Sequence, residues 1–262
     1  MTALRWAVSD GWTITRRDLI HWRQQPGAIA VNWLFPIMVL LMFTGLFGGA
    51  IAVPGGRYLD FLLPGMLTMT MLFGVEATML AVSTDAAKGV TDRFRSLPMS
   101  ASAVVLGRCT ADLANSVVAL AIAVATGLAL GWRWERGAAA GLAALGLLLL
   151  LRVALLWVGV YLGLVARGPQ SVSAVQILVW PVGFLSSVFV DPATMPSWLG
   201  AIAAWNPLSA TASATRDLFG GPGWGAEGFA AQQANVLAVV WPLLLIAVFL
   251  PLSIRRYWRL GK

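Results

Sequence analysis

The chain has 262 residues, 59% of them hydrophobic and only 11% charged, with a mean hydropathy of +0.79. Soluble domains are nearer half apolar and about a quarter charged, so an ordinary soluble domain is excluded and an integral membrane protein expected. The net charge of +7 does not call for nucleic acid, because cytoplasmic loops of membrane proteins collect Arg and Lys. The single cysteine, Cys109, excludes an intramolecular disulfide framework.

The start, M-T-A-L-R-W-A-V-S-D, lacks a signal-peptide core, so the first span is expected to be retained. Residues 1–26 are interrupted by Arg5, Asp10, Arg16, Arg17, Asp18 and Arg23 and are not a span. Leu4, Val8, Trp12, Leu19 and Trp22 share an arc of about 80° on a helical wheel. That pattern predicts an interfacial helix with arginines towards lipid phosphates. A helix packed on the protein itself fits equally.

The first span is read over about Ile29–Val53, with Pro36 inside and Gly45, Gly48 and Gly49 near its end. A tight turn at P-G-G-R leads into a second span over about Leu59–Thr84. A charged island follows, Ser83–Arg108, the longest between two apolar runs. Ser83, Thr84 and Asp85 read as helix N-caps and Pro98 as a stop. Val90, Phe94 and Leu97 fall at i, i+4, i+7 and share one face. Lys88 with Asp92, and Asp92 with Arg95, are at ion-pair spacing. An apolar ridge with a charged back suits docking into another protein, and also suits a solvated loop helix.

Further spans are read over about Ala103–Leu130, Ala138–Ala166, Val172–Val190 and Ala234–Leu252, each with roughly the 20 apolar residues a bilayer needs. Between the last two, residues 191–233 carry P-S-W-L-G-A-I-A-A-W, apolar but too short to cross. N-P-L-S-A-T-A-S-A-T-R-D-L-F-G-G then reads as a Pro-started helix ended by glycines. Two short helices dipping into the outer leaflet would explain Trp198, Leu199, Ile202 and Trp205, which are costly in water; the other reading is a plain extracellular loop.

With the N-terminus inside, thirteen Arg and Lys fall on inner segments and four on outer ones (Arg57, Arg133, Arg136, Arg216). The positive-inside rule then gives six spans with both termini cytoplasmic. The predicted fold class is an all-α polytopic membrane protein, 1–262 forming one permease-like domain. Its parts are a 1–26 interfacial helix, an 83–102 cytoplasmic helix region and a 191–233 extracellular re-entrant region.

T-D-R-F-R-S-L-P-M-S followed by a span resembles the connection after the second span in type-2 ATP-binding-cassette exporter permeases, closest to the daunorubicin-resistance type of membrane subunit. R-Q-Q-P-G-A-I-A-V-N-W-L-F-P-I-M, Y-L-D-F-L-L-P-G-M and the N-P-L start with its R-x-L-F-G-like end resemble the same family, in the same order. The resemblance implies that the 83–102 region is the coupling helix, seated in a groove on a separate ATPase, with Val90, Asp92, Arg93, Phe94, Arg95 and Leu97 carrying the contact. The family usually has an acidic residue and an arginine before the glycine, where this chain has Ala87 and Lys88. The resemblance also implies two permease copies, ATP and Mg held by the partner ATPase and no cofactor on this chain. Its implied cargo is a hydrophobic drug, antibiotic or lipid moved outward.

Glu76 lies deep in the second span and Arg152 near the middle of the fourth. Charges at that depth cost about 2.5–3.5 kcal/mol on insertion scales and face protein, water or each other. A Glu76–Arg152 pair is geometrically possible if the two spans are neighbours, as a polar lining of the path or as a structural tie. Asp112, one turn after Arg108, is at snorkelling or i, i+4 pairing distance. Met38, Phe43, Met69 and Phe73 belong to a Met- and aromatic-rich part of the first two spans, which suits a path for varied apolar molecules or simple packing.

Catalysis finds no support. His21 is the only histidine and lies in the surface segment. One Cys and one His cannot build a usual zinc site. Neither G-x-S-x-G nor G-x-x-x-x-G-K-[ST] occurs, so this chain does not hydrolyse ATP by the phosphate-loop route. Two rivals remain beside a drug exporter subunit: a permease for lipid or polysaccharide, and a six-span membrane enzyme or structural protein without an ATPase. Arg over Lys, with abundant Ala and Gly, points to a GC-rich bacterial genome and hence a bacterial inner membrane.

Overall fold

The computed structural model describes residues 26–51, 53, 55–87, 101–166, 169–222 and 228–259, with backbone alone at 26, 28–32, 101–108, 169–170 and 258–259. The described residues form helices without a strand: α1 (Pro26–Phe47), α2 (Tyr58–Ala87), α3 (Ala101–Ala129), α4 (Gly137–Val165) and α5 (Pro169–Phe184). After a 3₁₀ turn at Pro192–Thr194 come α6 (Ser197–Trp205), α7 (Pro207–Phe219), α8 (Phe229–Gln232) and α9 (Ala234–Arg259). The all-helical expectation is met. Among the described residues, four helices are long and apolar enough to cross a membrane: α2, α4, Cys109–Ala129 of α3 and Ala234–Tyr257 of α9. The apolar stretches Trp33–Phe47 of α1 and Ser171–Phe184 of α5 are shorter.

Several boundaries differ from the sequence reading. α1 stops at Phe47, because Gly48–Ala50 form a turn. α5 stops at Phe184, and residues 185–190, which include Ser186 and Ser187, form bends and turns instead. α2 does not end at the Ser83–Asp85 caps but continues to Ala87. Ser83 Oγ donates back to Leu80 O (3.0 Å), the mid-helix habit of serine, rather than capping a new helix. The P-G-G-R turn is present: Gly56 N–H donates to Val53 O (3.3 Å), and Gly55 has φ +80°, the left-handed region that glycine fills without strain. Arg57, just after it, donates to the Asp60 carboxylate (3.0 and 2.9 Å) and to Gly131 O (2.8 Å), tying this turn to the α3–α4 loop. The Asp60 carboxylate holds the Arg57 guanidinium above its ordinary value.

α2 and α4 form the buried centre. Their close approach comes from Gly159 and Gly163, four residues apart on α4. A Cβ at Gly159 would meet Thr78 Cβ at 2.9 Å, and one at Gly163 would meet Val82 Cβ at 2.7 Å and Met79 O at 2.9 Å. Without a hydrophobic drive between helices in lipid, such small-residue seams are how backbones pack closely. The seam gives a test. Gly163→Ala must push α2 away and is expected to cost about 1–3 kcal/mol. Gly146→Ala, with nothing within 4 Å of the added carbon, should be neutral or gain helix propensity. Thermal unfolding of the two detergent-solubilised variants checks this; equal midpoints would contradict the seam.

α6 and α7 are the two short helices read in 191–233. Asn206 Oδ1 accepts from Leu208 N–H (2.9 Å) with Pro207 at the first helical position, so α7 starts as its sequence predicts. It ends at Gly220, φ +79°, where Gly221 N–H reaches Arg216 O (2.9 Å) and Gly220 N–H reaches Asp217 O (3.0 Å), a Schellman closure. Arg216 fixes the pair on α2. Its Nε donates to Phe61 O, and its Nη2 to Ser187 O and Val188 O, all at 2.9 Å. The guanidinium lies 3.7 Å over the Phe61 ring.

Candidate substrate path and intramembrane polar network

Arg152 is 2% exposed at the α4 face that meets α2 and α3. Its Nε donates to Ser116 Oγ (2.8 Å) and its Nη2 to Thr78 Oγ1 (2.8 Å), while Asp112 Oδ2 lies 3.5 Å from Nη2. Thr78 Oγ1 in turn donates to Asp112 Oδ2 (2.7 Å) and Ser116 Oγ to Asp112 O (2.9 Å). Gly74 leaves the room: a Cβ there would come within 2.6 Å of Arg152 Cζ. Nη1 is buried and has no hydrogen-bond partner among the described residues.

The carboxylate of Arg152 is therefore Asp112, and the Glu76–Arg152 pair does not form. The reason is angular. Gly74 and Thr78, one turn apart, define the face of α2 that meets Arg152, and Glu76 sits two residues from each, roughly 200° around the helix. Glu76 faces α5 instead, beside the side chain of Gln176. Among the described residues it has no cationic partner.

One turn from Glu76, Phe73 opens a ladder of seven rings. Phe35, Phe73 and Trp180 are in mutual contact, and Trp180–Phe184–Phe189–Phe43–Phe47 continue from them, with neighbouring centroids 4.7 to 5.8 Å apart. Gln176, Trp180 and Phe184 recur every four residues, so α5 presents them along one face beside α1 and α2. Phe43 and Phe73 thus belong to one array. Met38 is 58% exposed on the outer face of α1, and Met69 is fully buried behind the ladder, against Gly183. Val90, Asp92, Arg93, Phe94, Arg95 and Leu97, the residues read as the ATPase contact, lie outside the described residues, as do residues 1–25 of the 1–26 interfacial helix. What the structure gives is the two helices that flank them, α2 up to Ala87 and α3 from Ala101.

The ABC-2 type transporter family matches residues 10–219, a stretch holding the polar network, the ring ladder and the segment between α2 and α3. A daunorubicin resistance ABC transporter permease protein, DrrB1, of Streptomyces coeruleorubidus is 38% identical over 252 residues, covering 96% of this chain and 87% of that protein. The chain belongs to the ABC-2 type transporter family. A second similar protein, the transport permease ycf38 of Pyropia yezoensis, is 26% identical over 216 residues, 80% of this chain and 74% of its own length. As an ABC-2 permease this chain is a multi-pass membrane protein.

In this ABC-2 permease the sequence reading missed the Asp112–Arg152 tie, the Gln176 side chain beside Glu76 and the glycine seam. G-V-Y-L-G at 159–163 was a readable signal for the last. A cavity of about 650 Å³, lined among others by Asp191, Trp205, Ser213, Arg216 and Phe229, was not foreseen. It lies among α6, α7, α8 and the start of α9, apart from the ladder.

Proposed function

We propose that this permease is the membrane subunit of an ATP-driven exporter that moves a hydrophobic drug-like compound, antibiotic or lipid outward. The observation that carries it is the near full-length similarity to a permease named for daunorubicin resistance. In this reading a separate ATPase binds ATP and Mg and holds residues 90–97 in its groove. Two permease copies form the passage, and ATP-driven closure of the ATPase pair moves the 83–102 regions. This chain contributes no catalytic group.

The ring ladder is the proposed wall of the path. Phe43 and Phe73 lie in it, Trp180 and Phe184 extend it, and Glu76 with Gln176 gives its inner end a polar group. An uncompensated carboxyl inside a span is by default a functional candidate. Aromatic faces accept flat apolar molecules through offset and edge contacts worth about 0.5–1.5 kcal/mol per pair. Trp180→Ala in the reconstituted transporter is therefore expected to raise the half-saturating daunorubicin concentration about tenfold while the basal ATPase rate holds. An unchanged concentration dependence would remove the ladder from the path.

Six crossings are proposed, with α1 and α5 added to the four long helices. α6 and α7 are read as dipping into the outer leaflet, since Trp198, Ile202 and Trp205 share an exposed face (66%, 52% and 50%). The thirteen-to-four charge bias puts both termini on the cytoplasmic side of a bacterial inner membrane. Cysteines placed at Arg57 and Arg133 should react with an impermeant maleimide outside intact cells, and one at Arg95 should not. Reaction at Arg95 would reverse the orientation.

A further inference from the structure

Arg152 contacts both helices that flank the 88–100 segment. Thr78 stands on α2, nine residues before its end at Ala87, and Asp112 and Ser116 stand on α3, which begins at Ala101. At 1.5 Å per residue Thr78, Asp112 and Ser116 lie about 14, 17 and 23 Å along their helices from that segment. One guanidinium on α4 thus ties two short arms whose free ends are joined by the segment read as the ATPase contact.

We propose that Arg152 is a positioning residue that clamps α2 and α3 into one unit, so that a push on the 88–100 segment moves the bundle instead of splaying the arms. The inference rests on the coupling reading above. Three features carry it. The tie is polar in a span where apolar packing would insert at lower cost. Thr78 Oγ1, accepting from Arg152 and donating to Asp112, joins all three helices at one atom. Gly74 is kept bare at the place where the guanidinium lies. The Gly159–Gly163 seam already brings α2 and α4 into contact, so what the Arg152 network adds is the link from that pair to α3.

The test uses the permease–ATPase complex in liposomes with daunorubicin as the probe. Thr78→Val keeps volume and leaves Arg152 and Asp112 in place, but removes the shared hydroxyl; Thr78→Ser restores it. Thr78→Val should keep the ATPase bound and hydrolysing, and raise the ATP used per daunorubicin moved about tenfold, with Thr78→Ser near wild type. In a Cys109→Ser background, spin labels at Ala87 and Thr110 should give one narrow distance in the parent and a broadened one with Thr78→Val. A wild-type ATP-to-daunorubicin ratio in Thr78→Val, or an unbroadened distance, overturns the clamp. If the parent permease does not hold the ATPase at all, the coupling reading fails instead, and the distance comparison alone decides whether Arg152 joins the arms.

Discussion

Phe94→Ala is expected to weaken association with the ATPase by about 2 kcal/mol or more and to abolish export, with the spans still inserted. A helix docking in a groove concentrates its binding energy in a few buried anchors, while rim contacts add little. Phe94 is the largest apolar side chain of its stretch, and Val90 and Leu97 fall on the same face of a helix at that spacing. A solvated loop has no use for such a ridge. Lys88→Ala, at the position where the family pattern is broken, should change association far less, because Val90, Phe94 and Leu97, not Lys88, fall on the apolar face at helical spacing. Co-purification of the ATPase with each variant, beside export in cells, reads both effects. Wild-type association and export with Phe94→Ala would exclude the docking role.

Asp112→Ala is expected to destabilise the permease by about 3–5 kcal/mol, since it leaves Arg152 charged and buried with no carboxylate. Arg152→Met alone should cost less, because Asp112 is partly exposed (22%) and keeps the Thr78 hydroxyl as donor. The double variant should recover part of the loss. Glu76→Gln, on the face of α2 turned away from Arg152 of α4, and Arg152→Met should instead add within about 0.5 kcal/mol. Unfolding of each variant in lipid nanodiscs gives both cycles. Coupling between Glu76 and Arg152, or strict additivity between Asp112 and Arg152, would contradict the geometry.

The long apolar runs made the helices legible, and local chemistry made some ends legible: Asn206 and Pro207 open α7, and Gly220 closes it. Rotation about each helix axis was not legible. In a soluble helix the apolar stripe shows which side faces the core. α2 and α4 are apolar nearly all round, so nothing in their periodicity says that Thr78 rather than Glu76 faces Arg152. Depth alone suggested the wrong pair. The candidate path was half legible: Phe43 and Phe73 were named from the first two spans, but Trp180, Phe184 and Phe189 complete the array from a distant part of the chain. Arg216 was readable only as an outer cation, because its partners are carbonyls at Phe61, Ser187 and Val188 that only the fold brings together.

The most direct test of the exporter reading is ATP-dependent uptake of daunorubicin into inside-out vesicles containing this permease, with and without its ATPase. Uptake that needs both chains and ATP is the expected result. Uptake by the permease alone without ATP, or no daunorubicin movement by the complete pair, would contradict it.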